Sequence, residues 1–167
     1  MRKILLVLLF ISLLLAASAP AYDDRAVFIT ELPGYFTLTA ISGSISPDYP
    51  IYKIDITKNG EGIYSVMSAE NRKKGKFEKV NSFKLAKSDL LMIYESIVEN
   101  QFFDLKKEYI ETDVLDGSFA ELTVTVDKKT HTVRTRNIAV TGFDRIMITV
   151  NIVTPKDNKI IYNEILR

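Results

Sequence analysis

The dipeptide Asn59-Gly60 constrains this chain more than any other pair of residues in it. Both residues tolerate the positive φ values that a tight hairpin turn needs. Before the turn, residues 51–58 alternate, with Tyr52, Ile54 and Ile56 on one face and Lys53, Asp55 and Thr57 on the other. That is the period of a strand with one buried face. After the turn, residues 63–68 are expected to return antiparallel. Their apolar side chains fall on both parities, Ile63 and Met67 against Tyr64 and Val66, so the buried face stays open.

A hairpin needs further strands to bury its apolar side. Residues 35–41 supply a β-branched and aromatic run, followed by a Ser-, Gly- and Pro-rich loop over 42–50. Residues 77–85 supply another strand after a polar, basic connection over 71–76. The period then changes. Leu90, Ile93, Tyr94, Ile97 and Val98 draw one apolar stripe, which predicts a helix over 87–99 with Asn100 as its stop. Phe102 and Phe103 are expected to anchor the exit, and 105–117 reads as a long acidic connection.

A second hairpin follows, 119–126 and 129–136 around Asp127-Lys128, with Ala120, Leu122, Val124 and Val126 facing the core. A two-residue turn pairs Val124 with His131, Leu122 with Val133 and Glu121 with Arg134; a four-residue turn pairs Glu121 with Arg136 instead. Phe143, Ile146, Met147, Val150 and Val153 keep helical spacing up to Pro155. Residues 159–166 read as either a closing strand or a short helix. The order ββββ-α-ββ-α, with about six antiparallel strands and two amphipathic helices, predicts an α+β two-layer sandwich. One domain is expected over 35–154, with a leader at 22–34 and a tail at 155–167.

The first 21 residues predict a compartment. Arg2 and Lys3 precede an apolar run over 4–17, and Ala19-Pro20-Ala21 supplies small residues for cleavage after Ala21. The run falls short of the ~20 residues that cross a bilayer. A cleaved signal peptide is therefore expected, the alternative being a retained membrane anchor. Cleavage removes two basic residues and no acidic one, so the formal charge of +1 becomes −1. A near-neutral domain has no global field to draw it onto nucleic acid. The chain contains no Cys and no Asn-x-Ser/Thr acceptor, which leans towards a bacterial or archaeal envelope protein, periplasmic or extracellular.

Pro50-Ile51-Tyr52, Ile54, Ile56, Asn59-Gly60 and Tyr64 together resemble the opening of a group of small exported bacterial domains of unknown function. In that group a Pro-aliphatic-Tyr strand leads into an Asp-Gly turn. The likeness continues through Asn100-Gln101-Phe102-Phe103, Leu105, Tyr109 and Thr112-Asp113, and covers residues 36–153. The group often carries a Cys before the Pro; Tyr49 stands there in this chain. The layout is also similar to emfourin-type inhibitors of thermolysin-like metalloproteases, in which a Ser-Gly-Gly loop follows the first strand. Ser42-Gly43-Ser44 occupies the comparable place without the second Gly, and the resemblance implies an inhibitor acting through that loop.

Recognised chemistry is sparse. His131 is the single histidine, which reads as a half-buried structural residue on the Val133 face. No nucleophile elbow or phosphate-binding glycine pattern occurs, and thiol chemistry is absent with Cys. Asp104, Glu108, Glu111, Asp113 and Asp116 lack the spacing of a calcium loop and read as a solvated connection. Arg72, Lys73, Lys74 and Lys76 read as a solvated basic tip.

These residues lead to an exported, non-catalytic binding domain with a protein or envelope-surface partner. The candidate binding residues are Ser42, Gly43, Ser44, Asp48 and Tyr49 in one loop and Arg72, Lys73 and Lys74 in another. No catalytic residue, metal or cofactor is assigned, nucleic acid is not expected, and membrane contact is expected only if the signal is retained. The alternatives are an inhibitor of a secreted metalloprotease and a hydrolase whose site the sequence does not mark.

Overall fold

The computed structural model describes residues 29–113 and 117–160. The signal segment, most of the leader, Asp116 and residues 161–167 lie outside them. Seven strands form one sheet: β1 Phe36–Ser44, β2 Ile51–Thr57, β3 Glu61–Met67, β4 Glu78–Lys84, β5 Glu108–Ile110, β6 Ser118–Val126 and β7 Lys129–Arg136. The helices are a one-turn α1 Ala69–Arg72, then α2 Lys87–Glu99 and α3 Thr141–Val153, with 3₁₀ turns at Phe102–Asp104 and Lys156–Asn158. The strand order is β4-β3-β2-β1-β6-β7-β5, antiparallel except for the β5–β7 pair. The chain is thus α+β, and β1 lies at the centre of the sheet.

Alternation along β1 shows why the sheet has one wet face. Phe36, Leu38, Ala40 and Ser42 are buried, while Thr37, Thr39 and Ile41 between them are half-buried. Ile54 and Ile56 of β2, Leu122 and Val124 of β6 and Val133 of β7 extend the same buried face. The other face is paired by threonines: Thr123 with Thr132 at 2.9 Å and Thr125 with Thr130 at 3.0 Å between hydroxyls. Such cross-strand pairs hold register while leaving the face solvated.

The two long helices cover the apolar face and pack on one another. Leu90, Ile93 and Ile97 of α2 and Phe143, Ile146, Met147 and Val150 of α3 are buried at the helical spacing read from the sequence, whereas Val98, read as the end of the α2 stripe, is exposed because the helix stops one residue later and leaves the sheet. The Asp89 carboxylate accepts the Ala86 amide at 3.1 Å and so caps α2 from its first turn. Asn100 closes the helix, and Gln101 takes a left-handed conformation (φ 49°) that turns Phe102 into the core.

The second hairpin follows its expectation, and the first keeps its antiparallel pairing but not its turn. Gly60 alone takes a positive φ (79°) while Asn59 does not, and Ile56 opposite Gly62 leaves a three-residue loop over 58–60, closed by the Gly60 amide donating to the Thr57 carbonyl at 2.9 Å. Tyr64 and Val66 face the helices, and Ile63 is exposed on the other side. The second hairpin takes the two-residue turn, with Glu121 opposite Arg134 and Val124 opposite His131. Four further expectations need correction. The described residues form seven strands and not about six, because Glu108–Ile110 forms β5 inside the supposed connection over 105–117. Three residues are too short to show a period. The loop expected over 42–50 begins at Ile45, because Ser42, Gly43 and Ser44 continue β1 between β2 and β6. The connection over 71–76 contains the end of α1. Lastly, Lys156–Asn158 of the tail is a 3₁₀ turn, and Ile160 is buried with its amide donating to Asn151 Oδ1 at 3.2 Å.

Candidate functional site

The two candidate loops, far apart in sequence, meet at one end of the sheet. One joins β1 to β2 through residues 45–50, and the other joins β3 to β4 through α1. Ser68 caps α1 by accepting the Asn71 amide at 3.3 Å. Gly75, at φ 61°, turns the chain back, and the Lys76 amide donates to the Asn71 carbonyl at 3.2 Å. This small knuckle sets the stem of Arg72 towards the neighbouring loop.

Arg72 then closes on backbone carbonyls 23 to 28 residues earlier in the chain. Its Nη1 donates to the carbonyls of Ser44 at 3.0 Å, Ser46 at 2.6 Å and Tyr49 at 2.9 Å, and its Nη2 lies 3.4 Å from that of Ile45. Nη1 carries two hydrogens for three carbonyls, so at least one hydrogen is shared. A planar guanidinium can serve several acceptors at once where a lysine ammonium presents a compact point charge. The loop is also tied from the other side. The Ile45 amide donates to the Gly117 carbonyl at 2.7 Å, and the Ser46 amide to Ser44 Oγ at 3.1 Å.

What this clamp presents is the turn Pro47-Asp48-Tyr49, all three residues exposed, with Tyr49 at 61 %. Lys73 and Lys74 are exposed beside Arg72 on the knuckle. Ser42 and Gly43 are instead buried in the sheet. A Cβ on Gly43 would lie 3.1 Å from the Ile51 side chain, so the close β1–β2 approach accounts for this glycine. Ser44, half-buried, bonds the loop internally. The structure thus brings Asp48, Tyr49, Arg72, Lys73 and Lys74 together and leaves Ser42 and Gly43 in the ladder. The basic tip loses one member as a free cation, because Arg72 is turned inwards. No local pattern in the sequence reports this, since its partners are carbonyls of another loop.

Next to the clamp, on the solvated face, Lys53 pairs with Asp55 at 2.8 Å and lies 5.2 Å from the centre of the Phe77 ring. Thr39 donates to the same carboxylate at 2.8 Å. These contacts brace the root of β2 and the entry to β4.

The remaining candidates lie elsewhere. His131 is half-buried, with Nε2 3.0 Å from the Leu105 carbonyl, so that nitrogen carries the hydrogen. Its ring packs edge-on against Phe102 at 5.4 Å. Of the acidic stretch, Glu108 lies 3.7 Å from Arg134, which Glu121 also binds. Among the described residues no three His, Cys, Asp or Glu side chains gather as a metal site, and no helix is long and apolar enough to cross a membrane.

Comparison with known proteins adds no assignment: no family model matches the chain, and no curated protein matches it.

Proposed function

We propose that this protein is an exported, non-catalytic binding domain that offers the Pro47-Asp48-Tyr49 turn to a protein or envelope-surface partner. The observation that carries the reading is the Arg72 clamp on the carbonyls of Ser44, Ser46 and Tyr49. A loop ordered before binding loses less conformational entropy on docking. The exposed tyrosine at its tip supplies a rigid amphipathic contact of the kind enriched at interface centres. Export after cleavage at Ala21 and kinship with the small exported bacterial domains belong to the same proposal.

The test is capture of partners from the organism's own envelope and medium at physiological salt. The unaltered protein should retain a specific partner that Tyr49→Ala loses. Recovery of nothing specific, or equal recovery by Tyr49→Ala, would refute the reading. The compartment is tested separately by mass spectrometry of the native N-terminus, where Tyr22 is expected and Met1 contradicts cleavage.

A second reading, inhibition of a secreted thermolysin-like metalloprotease, is favoured by the same clamp, because an inhibitor must insert a rigid projecting loop. It moves the expected contact from Ser42-Gly43-Ser44 to residues 47–49. Titration of such a protease with the purified protein should abolish peptide hydrolysis at stoichiometric ratio, and unchanged hydrolysis at large excess rejects this reading. The hydrolase reading has no observation in its favour.

A further inference from the structure

The opposite end of the sheet holds a cleft of about 460 Å³ that the binding-loop reading does not use. It opens where the β2–β3 turn, the end of β4 and the start of α2 meet residues 31 and 32 of the leader. Its apolar floor comes from Leu32, Leu85 and Leu90, of which Leu85 and Leu90 are buried. Around it stand Lys58, Lys84 and Lys87, one from each of three elements, against the single carboxylate of Glu31 among the lining residues. Lys58 Nζ donates to the Gly34 carbonyl at 2.8 Å, which holds the leader against the hairpin and fixes one wall. Lys84 and Lys87 are exposed and take part in no ion pair among the described residues.

Charge and shape together select the occupant. Three ammonium groups over one carboxylate favour an anion, and the leucine floor favours an apolar body attached to it. The volume lies within the ~300–1,000 Å³ range of small-molecule sites and is too small for a folded partner. We infer that this cleft binds a single small amphiphilic anion, a carboxylate or phosphate carrying a short alkyl chain, with Lys84 and Lys87 at its head and the three leucines along its tail.

The test uses ¹⁵N-labelled protein purified from cells expressing the full chain, titrated with monomeric octyl phosphate and followed by amide shifts. Saturable shifts at residues 31–32, 58–60 and 84–90 are expected, with residues 45–50 unmoved. Reversal of both charges, Lys84→Glu with Lys87→Glu, should weaken binding by at least about tenfold, since two attractive charges become two repulsive ones at the anion. Both side chains are exposed, so an unchanged amide spectrum of the free variant verifies the fold. Glu31→Gln should tighten binding. Inorganic phosphate is expected to bind far more weakly, because it leaves the leucine floor unused. Equal affinity for inorganic phosphate, unchanged affinity after charge reversal, or shifts outside the cleft would each overturn the assignment. So would binding to phosphatidylglycerol vesicles without binding to the monomeric amphiphile, which would make the lysines a membrane-surface patch.

Discussion

The two ends of the sheet are ordered by different means. At the hairpin end, tight turns do the work locally: Gly60 at φ 79° joins β2 to β3, and Asp127 at φ 50° joins β6 to β7. At the loop end, order comes mainly through contacts between distant segments: Arg72 reaches carbonyls that precede it by 23 residues or more, and the Ile45 amide donates to the Gly117 carbonyl. A local turn is set by its own residues and braced by a near neighbour, Leu85 against Gly60 and Tyr35 against Asp127. A clamp needs β1, β2 and β3 paired, because that pairing brings the two loops side by side. On this contrast the hairpin end should open only with the sheet, whereas the loop end should be able to open locally.

Gly60→Ala should break this comparison with the largest effect. A Cβ there would meet the Leu85 carbonyl at 2.5 Å, on top of a left-handed backbone that costs a non-glycine residue ~1–2 kcal/mol. A loss of at least about 2 kcal/mol is expected in urea unfolding. A loss below half that would show that the turn is more pliant than its geometry.

Arg72→Met comes next. It keeps the stem and removes the guanidinium, and hydrogen bonds to a charged group are worth ~1.5–3 kcal/mol. Because the freed carbonyls lie near solvent, the global cost should fall below that range. The amides of Ile45, Ser46 and Tyr49 should exchange faster while those of β1 stay protected. Arg72→Lys should not restore protection. Uniform loss of protection across β1 and β2 would mean that the clamp belongs to the folding unit after all.

A smaller effect sits between the two ends. Burial, with a lesser contribution from the neighbouring Tyr52, raises the Tyr64 phenol above its ordinary value of 10.0. The folded state therefore resists ionisation more than the unfolded chain. Stability from this group is complete below pH ~10 and declines as pH rises through the raised value. Tyr64→Phe should flatten that decline, as followed by unfolding between pH 8 and 11. An identical decline in the variant would place its cause in other tyrosines or lysines.

Glu121→Gln should have the smallest effect. Arg134 is shared between Glu121 and Glu108 on the solvated face. Exposed pairs of this kind are worth ~0.2–1 kcal/mol. Thermal unfolding should shift slightly, and less so at high salt. A larger, salt-insensitive shift would mean that the solvated face carries more of the stability than its exposure implies.

Much of the fold could be read in advance, and the reason differs by element. The stripes of α2 and α3 and the alternation of β2 and β6 repeat several times, so the period itself marks the buried face. β5 could not be read, since Glu108, Tyr109 and Ile110 are too few to repeat and their pairing with β7 is parallel across a long crossover. The one-turn α1 is likewise too short to carry a stripe. At the candidate site the exposed residues Asp48, Tyr49, Lys73 and Lys74 were nameable from turn and charge composition. The split between Ser44 and Ile45 was not, because Ser42 and Gly43 suit a loop by propensity and are held in β1 by strands on both sides.

The amino-acid sequence by itself determined the local matters: the chain reversal at Asn59-Gly60, the strands and helices with a period, most of the faces they bury and the α+β class. Tertiary structure alone decided the strand order, the seventh strand and the fate of Arg72. The physical reason is distance along the chain. Periods and turns are written in neighbouring residues, whereas a guanidinium that binds four carbonyls at the end of β1 and in the loop after it leaves no local trace of where it will go.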